Sequence, residues 1–276
     1  MSRSKARPDN ALKHGILVLA TFLALVPSIF MILTSLKSQD EYTFNKVGLP
    51  QALVLDHFKS ILFDSPLFAW MGNSAILAAG AVLLSTAVSC LGAYAIAMMR
   101  FKGRSLLFSV STALMAVPPV VMIVPLFVLY TQLDLISTFR GTIVIYAGLI
   151  TPFSVYLLTT FFRTLPKEIF ESARIDGAGE LFILWKIVLP LSLPALLTLV
   201  VVNALYVWND LIIAIIFLQD DAKRTLMAGI SVFQGRYEAQ IPLTMAGMVI
   251  ASAPMVILYI AFQKYFIRGL MAGAIK

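Results

Sequence analysis

The chain has 276 residues, of which 60% are hydrophobic and only 13% are charged, and its net charge is +7. Because a soluble domain is typically about 45–50% apolar and about 25% charged, this composition excludes a soluble enzyme, a disordered tail or a nucleic-acid module as the main interpretation. In a membrane protein, a basic excess usually reflects topology. The single cysteine, Cys90, excludes an intrachain disulfide and a cysteine-based metal site.

Six uncharged stretches are long enough to cross a bilayer, whose hydrocarbon core of about 30 Å needs about 20 helical residues. The first could be mistaken for a secretory signal, but it lacks a small-residue cleavage site and its apolar part is too long. We therefore predict an all-α membrane protein with six transmembrane helices. These stretches cover residues 16–36, 67–99, 105–133, 141–162, 187–209 and 241–263.

The distribution of basic residues predicts that both termini lie in the cytoplasm. With the N-terminus inside, 14 of the 21 lysines and arginines fall in cytoplasmic segments, and most acidic residues fall outside. This bias is the usual signature of orientation. The predicted parts are a basic cytoplasmic tail (1–15), the first helix (16–36), a periplasmic loop (37–70), a five-helix transmembrane domain (71–263) with a cytoplasmic loop at 163–186, and a cytoplasmic C-terminal tail (264–276).

Proline is frequent inside the predicted spans, and the third span contains Pro118, Pro119 and Pro125. Each proline removes a backbone donor and tends to kink the helix. Lipid cannot satisfy the carbonyl that this frees, so a neighbouring helix or a water-filled cavity must. The third span is therefore the best candidate for a broken helix, with simple bending for packing as the alternative.

The longest cytoplasmic loop has the clearest helix signals outside the spans. Pro166 suits a first helical turn, and a helix is predicted over 167–176. Gly177 is placed to end that helix, and a second helix from about Glu180 leads into the fifth span. The exposed apolar side chains of a short cytoplasmic helix indicate a protein partner. The alternative is a helix that lies on the lipid surface.

Polar residues near the end of the fifth span are candidates for the substrate path. Asn203, Tyr206 and Asp210 are spaced by three and then four residues, which places them on one helical face, and Asn209 lies beside them. An aromatic ring next to amide and carboxylate groups suits a polyhydroxylated ligand. The alternative is that Asp210 simply ends the span at the outer interface, with Trp208 as an interfacial belt residue.

Motifs for catalysis are missing from the sequence. It has no G-x-x-x-x-G-K-[ST] loop, no H-E-x-x-H and no G-x-S-x-G elbow, so we predict no nucleotide hydrolysis, catalytic residue or metal site in this chain. Ionisable groups within the spans are almost lacking, which disfavours ion-coupled transport. A self-contained secondary transporter or channel for small polar solutes remains the alternative to a transporter whose energy is supplied elsewhere.

One long gapped motif resembles the EAA loop of bacterial ABC importer permeases. Glu171-Ser172-Ala173 is followed after three residues by Gly177, and after nine more by Ile187-Val188-Leu189-Pro190. Ser172 stands where that family has its middle alanine. The resemblance implies that the loop docks on an ATPase subunit, through the ATPase-coupling residues Glu171, Ser172, Ala173, Asp176, Gly177, Ala178, Ile187, Leu189 and Pro190.

Further matches point to the carbohydrate-uptake branch of that family, which includes the second permease subunit of the maltose transporter. The likeness runs from about residue 15 to the end, although Asp56-His57-Phe58 departs from the branch's usual Asn-Tyr. The matching elements are Asn73-Ser74, Trp208-Asn209-Asp210 and the C-terminal run 269–276. The residues that resemble the branch's loop for the binding protein are Gln234, Gly235, Arg236 and Tyr237.

The resemblance implies a type I importer permease in the bacterial inner membrane that moves a sugar, polyol or glycoside inward by alternating access. The implied partners are a second homologous permease, two cytoplasmic ATPase subunits, a periplasmic solute-binding protein and membrane lipid, with no nucleic acid. ATP and magnesium would be bound by the ATPase subunits, and this chain would bind no cofactor.

Overall fold

The computed structural model describes residues 8–234 and 240–274, and every regular element in those residues is helical. Shorter turns of 3₁₀-helix lie at Asp221–Lys223 and Val232–Gln234, and a π-helix covers Leu184–Val188. The α-helices in chain order are α1 (Pro8–Ser35), α2 (Gln39–Phe44), α3 (Asp56–Phe63), α4 (Leu67–Met98), α5 (Arg104–Leu114), α6 (Pro119–Gln132), α7 (Phe139–Phe162), α8 (Lys167–Ile175), α9 (Glu180–Ile183), α10 (Leu189–Leu191), α11 (Leu193–Asn209), α12 (Ile212–Phe217), α13 (Leu226–Ser231) and α14 (Ile241–Ala274).

Four of these helices contain an unbroken stretch that is long and apolar enough to cross a membrane: Leu12–Ser35 of α1, all of α4, all of α7 and Ile241–Gln263 of α14. Two further apolar stretches are bent pairs of helices. The α5–α6 pair bends by 97°, and the pair formed by Glu180–Leu191 and α11 bends by 79°. Counting each bent pair as one span gives the six spans that the sequence predicts.

The third predicted span is broken between α5 and α6, as its prolines indicate. The last residues before the break form tight turns, in which the amide of Val117 donates to the carbonyl of Leu114 at 3.2 Å. Pro118 then adopts an extended backbone (φ −63°, ψ 128°), because a residue that precedes a proline is disfavoured in the α region. Pro119 restarts the helix at its first position, where a missing N–H costs nothing.

The fifth apolar stretch is bent by 79° between Leu191 and Leu193, inside the predicted span 187–209. Pro190 has no N–H with which to continue the ladder to Lys186, and the chain widens there into the π-helix that precedes α10. The amide of Ser192 still donates to the carbonyl of Val188 at 2.9 Å. Pro194 also lacks an N–H and so breaks a second hydrogen bond of the ladder. The helix changes direction between Pro190 and Pro194.

The described residues form two compact units. One comprises the residues up to Leu67 together with Ile230–Ala253, and the other comprises Phe68–Gly229 together with the residues from Pro254 onward. In the first unit, residues 37–66 of the predicted loop 37–70 form an organised structure around a buried lysine, and α4 begins at Leu67, before the predicted end of the loop. The Lys37 ammonium donates to the carbonyl of Asn45 at 2.6 Å, and the Nε2 atom of His57 lies 2.9 Å from the Lys37 carbonyl oxygen.

The second unit contains two buried apolar clusters. One, which we name the upper cluster, includes Tyr130, Tyr146 and Phe217. The other, the lower cluster, packs side chains of α4, α7, α8 and α11 around Phe162 and Phe170. Both clusters pack the inner faces of the helices against one another, and van der Waals contact of this kind is a main driving force for helix association in lipid.

The Asn73-Ser74 pair holds the segment before α13 in the second unit. The Asn73 side-chain amide donates to the carbonyls of Ala222 and Arg224 at 3.0 and 2.9 Å. The Ser74 hydroxyl accepts from the amide of Leu226 at 2.9 Å. Asn73 lies inside α4 and is not its N-cap, so this pair contributes to tertiary structure.

Candidate functional site

The α8 helix ends in a turn that requires glycine. Gly177 has φ +84°, in the left-handed region where an L-residue with a Cβ is strained. Its amide donates to the carbonyl of Arg174 at 3.0 Å, and the amide of Ala178 donates to the carbonyl of Ala173 at 2.9 Å. These two bonds define a Schellman motif. The prediction that Gly177 ends this helix is confirmed.

The α8 helix has an anchored face and an exposed face. Phe170 is only 2% exposed in the lower cluster, and Ala173 and Ala178 pack against the same cluster. On the other side, Ile175 is 85% exposed, and Glu171, Ser172, Asp176 and Gly177 are exposed as well. The exposed residues form what we name the docking face.

The second half of the EAA-like motif lies beside the same cluster. Ile187 is in the π-helix and Leu189 begins α10, and both pack against the lower cluster. Pro190 is exposed, and its lack of an N–H accounts for the widened turn before it. The motif therefore joins a surface helix to the apolar interior.

A charged contact that the sequence analysis did not single out links the two ends of this motif region. The Arg174 guanidinium donates twice to the Glu180 carboxylate, from Nε to Oε1 at 2.9 Å and from Nη2 to Oε2 at 3.1 Å. The Tyr94 hydroxyl donates to the same Oε2 atom. Arg174 and then Tyr94 hold the pKa of the Glu180 carboxyl below its ordinary value. No local pattern places residue 94 near residue 180.

A cavity of about 560 Å³ lies in the second unit, beside the break between α5 and α6. Most of its wall is apolar, and the polar side chains that line it are Tyr130, Asn203 and Tyr206. Residues from both sides of the break contribute, including Leu114, Met115, Val117, Pro119 and Met122. The proline-induced break therefore shapes the cavity wall.

The structure separates the four residues predicted for the substrate path. Asn203 and Tyr206 line the cavity, whereas Asn209 and Asp210 do not. The Asn209 side chain is exposed and donates to the Leu205 carbonyl of its own helix at 2.9 Å. Contact of any of these four residues with a substrate stays a prediction.

Asp210 closes the end of α11 and caps the start of α12. Its Oδ1 atom accepts from the Tyr146 hydroxyl at 2.8 Å and from the amides of Ile213 and Ala214 at 2.9 and 3.3 Å. Backbone amides at the first turn of a helix lack intrahelical partners, and a carboxylate satisfies them well. The geometry therefore favours the alternative interpretation, in which Asp210 ends the span.

Asn203 lies at one end of a buried polar network that joins three helices. Its side-chain amide donates to the Ser154 hydroxyl at 2.9 Å, and Ser154 lies 3.3 Å from the Ser85 hydroxyl. The Ser85 hydroxyl is 3.0 Å from that of Thr151. Hydrogen bonding between small polar side chains is a common way to join membrane helices, so the cavity wall at Asn203 is held in place by α4 and α7.

Two sets of sequence predictions remain to be placed. Gln234 ends a short 3₁₀-helix, and Gly235, Arg236 and Tyr237 lie outside the described residues.

In the part of the chain that the structure covers, no cluster of three histidine, cysteine or carboxylate side chains could hold a metal ion.

Comparison with known proteins gives consistent matches. Residues 88–271 match the family described as binding-protein-dependent transport system inner membrane component. The chain is 34% identical over 259 residues to the arabinooligosaccharides transport system permease protein AraQ of Halalkalibacterium halodurans, with 92% of each chain covered. It is 33% identical over 276 residues to the trehalose/maltose transport system permease protein MalG of Thermococcus litoralis, with 97% of this chain and 99% of that protein covered.

A solved structure has the same fold. A chain of a bacterial ABC transporter involved in the import of the acidic polysaccharide alginate superimposes with a TM-score of 0.78 at 24% sequence identity. The match covers 96% of this chain and 100% of that one.

Proposed function

The chain belongs to the family of binding-protein-dependent transport system inner membrane components, and from that premise we propose that it is the permease subunit of an ATP-driven importer for a sugar, polyol or glycoside. The protein is a multi-pass component of the inner membrane. Its relatives AraQ and MalG are named for sugar transport, which supports a carbohydrate substrate. We propose that both termini are cytoplasmic and that a second homologous permease, two ATPase subunits and a periplasmic solute-binding protein complete the importer.

The observation that carries the proposal is the α8 helix, which is anchored on one face and exposed on the other. Phe170 fixes it to the lower cluster, while the docking face presents Ile175 and Glu171 to solvent. An exposed apolar residue flanked by polar ones is suited to a protein partner. In this proposal the docking face binds an ATPase subunit, which binds ATP and magnesium, and this chain contributes no catalytic residue.

The chain also provides a direct route from the docking face to the cavity. After the Gly177 turn, α9, the π-helix and α10 lead into α11, which carries Asn203 and Tyr206 at the cavity wall. Nucleotide-driven movement of the ATPase subunits would displace α8 and, through this continuous segment, the wall. Alternating access in transporters commonly uses such rigid movements around a fixed site.

The cavity supports a ligand with both apolar and polar surfaces. A sugar ring has C–H faces that can pack on the apolar wall and Tyr206, and hydroxyls that can bond to the amide of Asn203. We propose Asn203 and Tyr206 as the substrate contacts of this chain. Calorimetry of the cognate binding protein against maltose, trehalose, arabino-oligosaccharides and polyols would identify the substrate class.

Site-directed crosslinking in native membrane vesicles tests the docking assignment. A cysteine at position 175 (Ile175→Cys) should crosslink to an ATPase subunit, because Ile175 is the most exposed apolar residue of α8. A matched cysteine at the lipid-exposed Leu17 of α1 should not. Absence of any ATPase crosslink from the whole segment 164–189 would contradict the proposed function.

Substitution of Gly177 by tryptophan is the corresponding functional test. Apart from its neighbours in the chain, no atom lies within 4 Å of a Cβ at this position, so the indole would project outward while the positive φ angle strains the turn. We expect the permease to assemble but to lose transport. Full ligand-stimulated ATPase activity in purified Gly177→Trp complexes would show that this turn does not couple ATP hydrolysis to transport.

A further inference from the structure

Three structural elements meet at the carboxylate of Glu180. Arg174 lies in the last turn of α8, Glu180 is the first residue of α9, and Tyr94 lies near the end of α4. The guanidinium of Arg174 binds both carboxylate oxygens at 2.9 and 3.1 Å, and the Tyr94 hydroxyl binds one of them. We name this three-residue contact the clasp.

The clasp connects an exposed element to a rigid one. The ring of Tyr94 is 4% exposed and belongs to the lower cluster, so its hydroxyl has a fixed position at the edge of the core. Arg174 and Glu180 are 37% and 41% exposed. Glu180 also suits the N-terminal end of α9, where helix dipoles favour an acidic side chain.

The clasp contributes more to the orientation of α8 than to the stability of the protein. Ion pairs with this much exposure contribute only about 0.2–1 kcal/mol to stability. A bidentate arginine–carboxylate pair, however, fixes the relative direction of its two partners. Without the clasp, α8 would be held by its apolar contacts with the lower cluster and by the Gly177 turn, with no polar contact to fix its direction relative to α4. With the clasp, a displacement of α8 is transferred to α4 as well as along the chain to α11.

We propose that Glu180 is a positioning residue that makes α8 and α4 move together, so that movement of the docking face reaches the cavity through two helices. The inference rests on the proposed function, and it adds a route that is not part of the EAA-like motif. Two distant sites, here the docking face and the cavity, are coupled when both act on the same structural element through contacts of this kind.

The test uses the whole importer purified from its native membrane and reconstituted in lipid. A cysteine at the cavity position 144 (Val144→Cys), whose parent side chain is 54% exposed, reports cavity access through its reaction rate with a maleimide. The native Cys90 is buried, so we expect it to react slowly. We expect ATP with vanadate to change the rate at position 144 by about fivefold or more in the otherwise unaltered complex.

Glu180→Gln removes the charge and keeps the side-chain size. We expect the nucleotide-driven change at position 144 to fall below about twofold, while the crosslink from position 175 to the ATPase is kept. Asp56→Asn is the matched control, because Asp56 is 84% exposed in an ion pair with Lys59 within α3. An unaltered response in Glu180→Gln would overturn the inference and leave the proposed function standing.

A charge exchange separates positioning from general stability. Arg174→Glu and Glu180→Arg should each abolish the response, and the double variant should restore at least half of it, because the Tyr94 hydroxyl can also accept from an arginine. Failure of the double variant to restore any response would overturn the inference. If the pair only stabilised the protein, the single variants would lower the Tm but would keep the nucleotide-driven labelling change at position 144.

Tyr94→Phe decides the outcome if the charge variants fail to assemble. It keeps the buried ring and removes only the hydroxyl, and we expect it to reduce the response by about twofold to fivefold. Tyr156→Phe is its control, since the Tyr156 ring stacks on Phe108 with centroids 6.0 Å apart. A full response in Tyr94→Phe would contradict the role of α4, whereas loss of the ATPase crosslink in the unaltered importer would overturn the proposed function itself.

Discussion

The α8 region and the cavity differ in how their residues come together. In the α8 region, the helix, the turn and the apolar anchor lie within a short segment of sequence, between Pro166 and Ala178. In the cavity, the wall is built from α5, α6, α7 and α11. The first is a local structure that packs one face on a core, and the second exists only because four helices pack around a break.

The two regions should therefore tolerate different substitutions. Exposed residues of α8 can change without affecting the fold, because their side chains contact solvent in this chain. Residues of the cavity wall such as Asn203 serve both the fold and the site, since Asn203 belongs to a buried network. Substitutions should therefore separate docking from folding in α8 but not at the cavity.

The largest expected effect is loss of the anchor of α8. Phe170→Ala removes a ring that is 2% exposed, and such a change costs about 3–5 kcal/mol. We expect a markedly lower Tm of the purified importer and loss of the crosslink from α8 to the ATPase. Ile175→Ala, at an 85% exposed position, should leave the Tm unchanged. Equal Tm losses in the two variants would refute the division into anchored and docking faces.

The cavity should show a smaller cost that combines folding and function. Asn203→Ala removes the bond from α11 to the Ser154 hydroxyl, which keeps its contacts with the Ile150 carbonyl and the Ser85 hydroxyl. The loss is therefore that of one hydrogen bond, about 0.5–1.5 kcal/mol. We expect a lower Tm together with a raised KM for transport. Asn209→Ala, which loses only a bond within its own helix, is the control. A raised KM in Asn209→Ala alone would move the substrate contact away from the cavity.

The Gly177 turn should show a backbone effect that depends on the residue introduced. A β-branched side chain at φ +84° costs about 1–2 kcal/mol, whereas asparagine tolerates this region. We expect Gly177→Val to reduce transport by about tenfold and Gly177→Asn to keep most of it, with both complexes assembled. Transport that is equal in the two variants would show that the turn conformation is not limiting.

The smallest expected effect is the response of the clasp to pH. The pKa of the Glu180 carboxyl is lowered from its ordinary value of 4.5 by Arg174 and Tyr94. A lowered pKa means that the contact is fully formed above the unfolded value and is lost as the pH falls through the folded one. We expect the nucleotide-driven labelling change at position 144 to be constant between about pH 6 and about pH 8. A steep fall within that range would show that another titrating group controls the response.

The number of apolar stretches and one of the breaks could be predicted because their causes are local. Runs without charge identify spans, and Pro118 next to Pro119 forces an extended residue between two helices. The bend within the fifth span was not singled out, because residues 187–191 are as apolar as the rest of that stretch. Ile187 and Leu189 pack against the lower cluster before the chain turns by 79°.

The candidate site was predictable to a similar extent. Gly177 could be placed at the end of α8 from its position after a helical pattern. The separation of Asn203 and Tyr206 from Asp210 could not, because a shared helical face does not reveal that Tyr146 and the start of α12 already use the carboxylate. The clasp was missed for the same reason, since Tyr94 and Glu180 are 86 residues apart.

That this chain crosses a membrane several times, and that a short helix ends in a glycine turn, follows from local patterns, because burial in lipid and backbone sterics act on neighbouring residues. Which polar groups face the cavity and which satisfy backbone amides follows only from the packing of the helices. Those assignments depend on which distant groups compete for each hydrogen bond, and that competition is settled when the helices pack.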